Sequence, residues 1–405
     1  MRVMLLVQEL TIGGLPNYVL DLARALSQAG DDVAVAHVNP QVPAHLDAGG
    51  VTLLCLDRAG GQAGLAKLNA WAPDVVHVHL CSDLALLREL LALGIPLVRS
   101  FHDYTSLCLR RGRRRFPGDR CQRALGPGCL AFGCGLGAPA PGSRIPSLQS
   151  IGGKLTERAA YQRFEYAVVG SRYMQSVLLL NGFRADQVRL IPYFSRFDAH
   201  AQGEPDEQGK LAGVPGLDRP LQFLFSGQAV AGKGLRVLVR ALAHLKSSWR
   251  LTAIADGPEL AAVKELAQRH QLADRIDFLG WLPQGQLAGH YRSADVLVVP
   301  SVWDDPGPLV GLEAMSMGTP VVGFPVGGIP DYVHEGKTGF LATEVSVASL
   351  ADALARASAR GAELRQLGLQ ARALVASVHG RDRHVGAVRS VYESMSIALA
   401  QQEAT

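Results

Sequence analysis

Short apolar runs rich in β-branched residues alternate along this chain with longer amphipathic stretches. VMLLVQ is followed by a helix-like stretch to Ala29, then by VAVAHV, VTLLCL, VVHVHL and PLVRSF. Such alternation is the βαβα rhythm of a parallel sheet covered on both faces. It breaks at the polar segment AHAQGEPDEQGKLAGVPGLDRP and resumes with LQFLFSG, RLTAIA, RIDFLG, VLVVPS and PVVGF. A chain of 405 residues, 48% hydrophobic and 19% charged, is long enough to bury two such cores. The expected fold class is α/β, with two doubly wound parallel-sheet domains joined near residues 195 to 219.

Several function classes are disfavoured. No run of 18 or more uncharged apolar residues occurs, and MRVMLLVQEL carries a charge at each end of a short apolar run. A cytoplasmic location is therefore expected. The net charge of +4 does not imply nucleic-acid binding, but five of the six residues from Arg110 to Arg115 are arginine. They sit in a Gly-, Pro-, Arg- and Cys-rich stretch, 105–147, expected to be a long inserted loop of the first domain.

Each half opens with a strand, a glycine-containing loop and a helix. In the first, VMLLVQ leads to Gly13 and Gly14 and a helix bearing Leu20, Ala23 and Leu26. In the second, FSGQAVAGKGL leads to a helix bearing Leu235, Leu238, Val239, Leu242 and Leu245. Glycine admits a ligand close to the backbone, and a helix N-terminus favours an anion. Lys233 adds a positive charge. Neither loop reads G-x-x-x-x-G-K-[ST], and neither is G-x-G-x-x-G with an acid about 20 residues on, so a P-loop and a dinucleotide fingerprint are both disfavoured.

The stretch VWDDPGPLVGLEAMSMGTPVVGFPVGG places Asp304 and Asp305 in a loop after the strand VLVVP. Pro308 suits the first position of a following helix. Leu309 and Val310 would then expose unpaired amides to a diphosphate. Glu313, one turn on, can accept from a vicinal diol such as ribose, and Asp305 can grip hydroxyls at the other end of the same ligand. Helix capping by the aspartates and a solvated Glu313 are the plain alternative, but EAMSMGTPVV is too apolar for Glu313 to lie freely exposed.

PSVWDDPGPLVGLEAMSMGTPVVGFPVGGIPDYVHEGKTGFL resembles the donor-site signature of retaining family-4 glycosyltransferases (glycosyl transferases group 1). IGGLPNYVLDLARALSQAGDDV, WAPDVVHVHL, IPLVRSFHDY, GQAVAGKGL and DRIDFLGWLPQGQLAGHYRSADVLVVPS resemble other parts of that family, so the likeness spans nearly the whole chain. The resemblance implies a GT-B fold, two Rossmann-like domains facing across a cleft. The acceptor-side domain would be 1–195, completed by a C-terminal helix at 378–405, and the donor domain 196–377. It implies transfer of a sugar from a nucleotide-diphosphate sugar to a glycan, lipid-linked or small-molecule acceptor, with retention. A GT-B epimerase or hydrolase, or a non-catalytic nucleotide-sugar-binding subunit, stays open.

Carried over by resemblance, Glu313 binds the ribose diol, Asp305 the sugar hydroxyls, Leu309 and Val310 the diphosphate, and Lys233 a phosphate oxygen. His102, in the FHDY turn, faces the donor sugar, and Gly14 approaches phosphate or acceptor. Two departures stand out: Asp305 where glutamate is commoner, and Gln228 where an arginine commonly accompanies the lysine. The chain has no Asp-x-Asp sequence, and no catalytic metal or other cofactor is expected. His77 and His79 could be plain strand residues.

Cys55 and Cys81 read as small core residues. Cys108, Cys121, Cys129 and Cys134 cluster in the insertion, where they suggest one structural zinc. Their gaps of 12, 7 and 4 residues lack the paired C-x-x-C of zinc ribbons, which leaves four unliganded thiols open. The arginine run suits a lipid diphosphate, an anionic membrane surface contacted peripherally, or an acidic glycan; a solvated loop is the plain alternative.

Overall fold

The computed structural model describes residues 1–10, 14–43, 48–57, 63–114, 120–139, 146–197 and 219–403. Gly13, Arg115 and most of the polar linker lie outside them. The chain divides into two compact units, Met1–Pro192 with Asp382–Thr405, and Tyr193–Arg381. The crossings fall at Pro192 and Asp382, rather than at 195 and 378.

In the first unit, the expected runs form β1 (Arg2–Val7), β2 (Asp32–His37), β3 (Thr52–Cys55), β4 (Val75–Leu80) and β5 (Leu97–Phe101). A hairpin, β6 (Leu136–Pro139) with β7 (Pro146–Leu148), belongs to the insertion. Two further strands, β8 (Tyr166–Val169) and β9 (Val188–Leu190), complete the main sheet, whose order is β3-β2-β1-β4-β5-β8-β9. All its pairings are parallel.

The second unit contains β10 (Leu221–Ser226), β11 (Trp249–Ile254), β12 (Ile276–Phe278), β13 (Val296–Val299), β14 (Val321–Gly323) and β15 (Gly339–Leu341). Their order is β12-β11-β10-β13-β14-β15, again parallel throughout. Strands covered on both faces can be apolar at every position, which is why β1 from Val3 to Val7 and the whole of β13 read as unbroken apolar runs. The helix Leu235–Ala243 buries Leu235, Leu238, Val239 and Leu242, the i, i+3, i+4, i+7 stripe that packs on such a sheet.

Both sheets reverse their winding beside the first strand, between β1 and β4 and between β10 and β13. In an open α/β sheet the crevice at that reversal, beyond the carboxyl ends of the strands, is where ligands bind. Gly14, the loop around Lys233 and the acidic loop predicted from sequence lie there.

The insertion is more ordered than a plain loop. Besides the hairpin it holds a short helix, Gly128–Ala131, and a small core of Leu109, Leu125 and Cys134 with Cys129, Phe132, Ile151 and Leu155 packed on it.

Candidate functional site

In the second unit, the loop after β10 and the loop after β13 are tied together across the winding reversal. The amide of Val302 donates to the Gly232 carbonyl at 2.9 Å. Gly234 allows this closeness: its φ is +74°, and a Cβ there would stand 1.9 Å from the Pro300 carbonyl oxygen. Lys233 follows from the first loop and its ammonium donates to Asp305 Oδ2 at 2.5 Å. That bond uses one of three ammonium donors and leaves the others for an anion. Gln228, in the same loop, is exposed.

The helix Leu309–Ser316 begins one residue later than predicted. Pro308 is its N-cap, with extended φ and ψ of −69° and 109°, so Leu309 and Val310 are its first two residues. Their amides have no carbonyl one turn back within the helix.

Glu313 is only 4% exposed, which rules out a solvated helix face. Two residues not singled out from sequence hold its carboxylate. Arg196 Nε lies 2.9 Å from Oε1, and the Tyr291 hydroxyl donates to Oε2 at 2.8 Å. Burial, then the facing carboxylate, raises the Tyr291 phenol well above its ordinary pKa, so it stays a donor. Arg196 is itself fixed by its neighbours. Ser195 Oγ shares a 3.0 Å hydrogen bond with Ser316 Oγ and accepts from the Phe197 amide, and the Phe197 ring meets Tyr291 edge-on. A carboxylate oxygen accepts more than one hydrogen bond. Glu313 is thus aimed from behind while keeping acceptor capacity for a diol.

The corresponding place in the first unit is built from uncharged rings. His102 directly follows β5, and its Nε2 shares a 3.0 Å hydrogen bond with Nδ1 of His79 on β4. His79 stacks on His77, centroids 4.2 Å apart. His77 is held between the Tyr392 hydroxyl at 2.6 Å and Ser100 Oγ at 2.7 Å. Tyr18, from the helix Gly14–Gln28, meets His102 edge-on and bonds His384 Nε2 at 2.7 Å. Burial pushes all three histidines below the usual imidazole range, His77 to about 3, and Arg99 reinforces the shift. The histidines of VVHVHL are therefore buried, neutral neighbours of the half-buried His102. Gly14 opens its helix with nothing within 4 Å of where a Cβ would stand.

The four insertion cysteines line one cavity of about 20 Å³ with Arg113 and Arg123. Among the described residues, no three His, Cys, Asp or Glu side chains are grouped to hold a metal ion in this structure. A turn closed by the Cys134 amide on the Cys129 carbonyl, at 3.0 Å, brings these two cysteines to the same cavity. The loop is held by its small apolar core and by Arg113, whose guanidinium donates to the carbonyls of Cys121 and Arg123. Burial raises the Cys134 thiol, and the neighbouring cysteines add to this. Cys81 is buried as expected, whereas Cys55 is partly exposed.

Residues 12–194 match Glycosyltransferase Family 4, and residues 212–374 match Glycosyl transferases group 1. The D-inositol 3-phosphate glycosyltransferase of Xylanimonas cellulosilytica is 30% identical, over 92% of this chain and 88% of that protein. The 2-deoxystreptamine N-acetyl-D-glucosaminyltransferase of Streptomyces fradiae is also 30% identical, over 84% of this chain and 81% of its own. Among solved structures, Anabaena Alr3699/HepE in complex with UDP-glucose superposes with a TM-score of 0.72 at 19% identity, covering 97% of this chain and 100% of that one. The chain belongs to the family-4 glycosyltransferases, and its two parallel-sheet units are those of the GT-B fold.

Proposed function

We propose that this glycosyltransferase moves a glycosyl group from a nucleoside-diphosphate sugar to a hydroxyl acceptor with retention of anomeric configuration. The observation that carries the reading is Glu313, a buried carboxylate fixed by Arg196 and Tyr291 one turn beyond two unpaired helix amides. A ribose diol on Glu313 would set the diphosphate over the amides of Leu309 and Val310, with Lys233 as its cation and the Gln228 amide as a neutral donor. Asp305 would hold hydroxyls of the transferred sugar. His102, kept neutral, would offer the sugar a hydrogen bond, and Gly14 would give phosphate or acceptor close approach to the backbone.

In this mechanism the acceptor O–H adds to the anomeric carbon as the bond from that carbon to the diphosphate oxygen breaks. The acceptor proton passes to a donor phosphate oxygen on the same face, and the nucleoside diphosphate leaves with the bonding pair. Lys233 and the helix amides stabilise the charge that develops on it. No step calls on a metal ion.

HepE is described with UDP-glucose, and the two relatives are named for an inositol phosphate and an aminocyclitol acceptor. These make UDP-glucose and cyclitols sensible first probes, with glycan and lipid-linked acceptors next. Nucleotide release should depend on acceptor, and the product should keep the donor's anomeric configuration by proton NMR coupling. Equal release without acceptor would indicate hydrolysis, and an inverted product would remove the retaining mechanism.

A further inference from the structure

We propose that the insertion is a docking face for an anionic lipid bilayer. Three leucines form its apolar part. Leu136 and Leu148 are directly opposed in the antiparallel hairpin and are 52% and 85% exposed. Opposed residues share a sheet face. Leu130, 50% exposed, leans on the same end of the hairpin: its Cδ2 lies 2.9 Å from where a Cβ on Gly135 would stand. Arginines of the same insertion lie beside this group. Arg123 lies with its guanidinium 4.4 Å from the Phe132 ring centroid and close to Gly128, in the short helix that carries Leu130. Arg110 is near enough to Cys134 to act on its thiol. Arg110, Arg111, Arg120 and Arg123 are all exposed.

From residue 105 to residue 150 the sequence holds eight arginines and a single acid, Asp119; of these, Arg115, Arg144 and Asp119 lie outside the described residues. The face is mounted firmly. The Leu125 amide donates to Asn181 Oδ1 at 2.9 Å, and Arg158 donates to the Leu125 carbonyl at 2.8 Å.

Clustered exposed leucines in a segment whose charges are nearly all of one sign mark an interaction surface. A soluble polyanion would use the arginines and leave the leucines in water. An anionic bilayer satisfies both, with lipid phosphates for the guanidinium groups and the acyl boundary for the leucines. No helix among the described residues is long and apolar enough to cross a membrane, so this contact would be peripheral. The inference does not rest on the transfer reaction, and its test uses no turnover.

Full-length protein is floated with vesicles of phosphatidylcholine alone or with 30% phosphatidylglycerol, at low salt and in 0.5 M NaCl. The anionic vesicles should be preferred at least about ten-fold, with the preference collapsing at high salt. Removing one exposed arginine, as in Arg111→Gln, should weaken binding about five-fold. The double change Leu136→Ser with Leu148→Ser should weaken it about ten-fold or more. Nucleotide binding and thermal unfolding report that these surface variants stay folded. No preference for anionic vesicles would overturn the proposal. So would full binding by the leucine variant, or a leucine-insensitive site that polyphosphate fills equally well.

Discussion

The two units wind their sheets in the same sense and place their polar groups at the same reversal, yet they fill it oppositely. Around His102 the first unit stacks neutral imidazoles and phenols, with the Arg99 cation helping to keep the histidines unprotonated. Around Glu313 the second unit sets full charges in pairs, Lys233 with Asp305 and Arg196 with Glu313. Neutral rings can donate to or accept from sugar hydroxyls without attracting a counter-ion. Paired charges hold polar groups in place and still offer spare donors and acceptors to a diphosphate and a diol. The fold supplies the position, and the side chains decide which chemistry each unit offers there.

Breaking the charged side should have the largest effect. Lys233→Ala should lower turnover about 10²- to 10³-fold, because a donor to the developing diphosphate charge is lost; a normal rate would reduce the loop to a strand-to-helix turn. Arg196→Ala leaves the buried Glu313 carboxylate without its cation, a change that costs about 3 to 5 kcal/mol in comparable buried pairs. Denaturant unfolding should show the second unit losing stability while the first keeps its own, and an unchanged midpoint would remove the positioning role.

The neutral side should be exposed by acid. In the unfolded chain His77, His79 and His102 protonate near pH 6.5, whereas in the fold they resist, His77 down to about 3. Their contribution to stability is therefore complete above about pH 6.5 and is lost as pH falls below it. Each histidine held neutral costs about 1.4 kcal/mol per pH unit in that range. Thermal unfolding followed from pH 8 to pH 5 should steepen below 6.5, and His77→Phe should flatten the slope. The smallest effect expected is that of Gln228→Arg. An exposed guanidinium added to the phosphate loop should leave stability within about 0.5 kcal/mol and bring a modest rate gain, read from initial velocities. A large loss would show that the Gln228 amide has a role a cation cannot fill.

The sheets were legible because most of the longer strands are predominantly apolar and alternate with amphipathic helices such as Leu235–Ala243. Short strands were not: YAVV, VRL and GFL are brief and sit beside turns, so β8, β9 and β15 emerged only from their pairing in space. The same holds for the hairpin, whose Pro and Gly content reads as loop. At the site, Asp305, Lys233 and Glu313 announce themselves as charges in apolar surroundings. Arg196 gives no such signal, since it stands next to a polar linker and finds Glu313 only in the folded unit. Tyr291 could have been suspected, because a buried tyrosine hydroxyl needs a partner. The cysteines were legible only as a cluster. Proximity in sequence suggested a metal, and the fold brings the four thiols to one small cavity.

Titration calorimetry of a nucleoside diphosphate into wild-type protein and Glu313→Gln, with UDP as first probe and other bases in turn, bears most directly on the charged side. Glutamine keeps the shape and one acceptor but loses the charge-assisted hydrogen bonds to the diol, at about 1.5 to 3 kcal/mol. Affinity should fall roughly ten- to 150-fold, while His102→Ala should leave binding of the nucleotide without its sugar nearly unchanged. Unchanged affinity in a folded Glu313→Gln protein, or a nucleotide affinity that follows His102 instead, would contradict the division of labour between the two units.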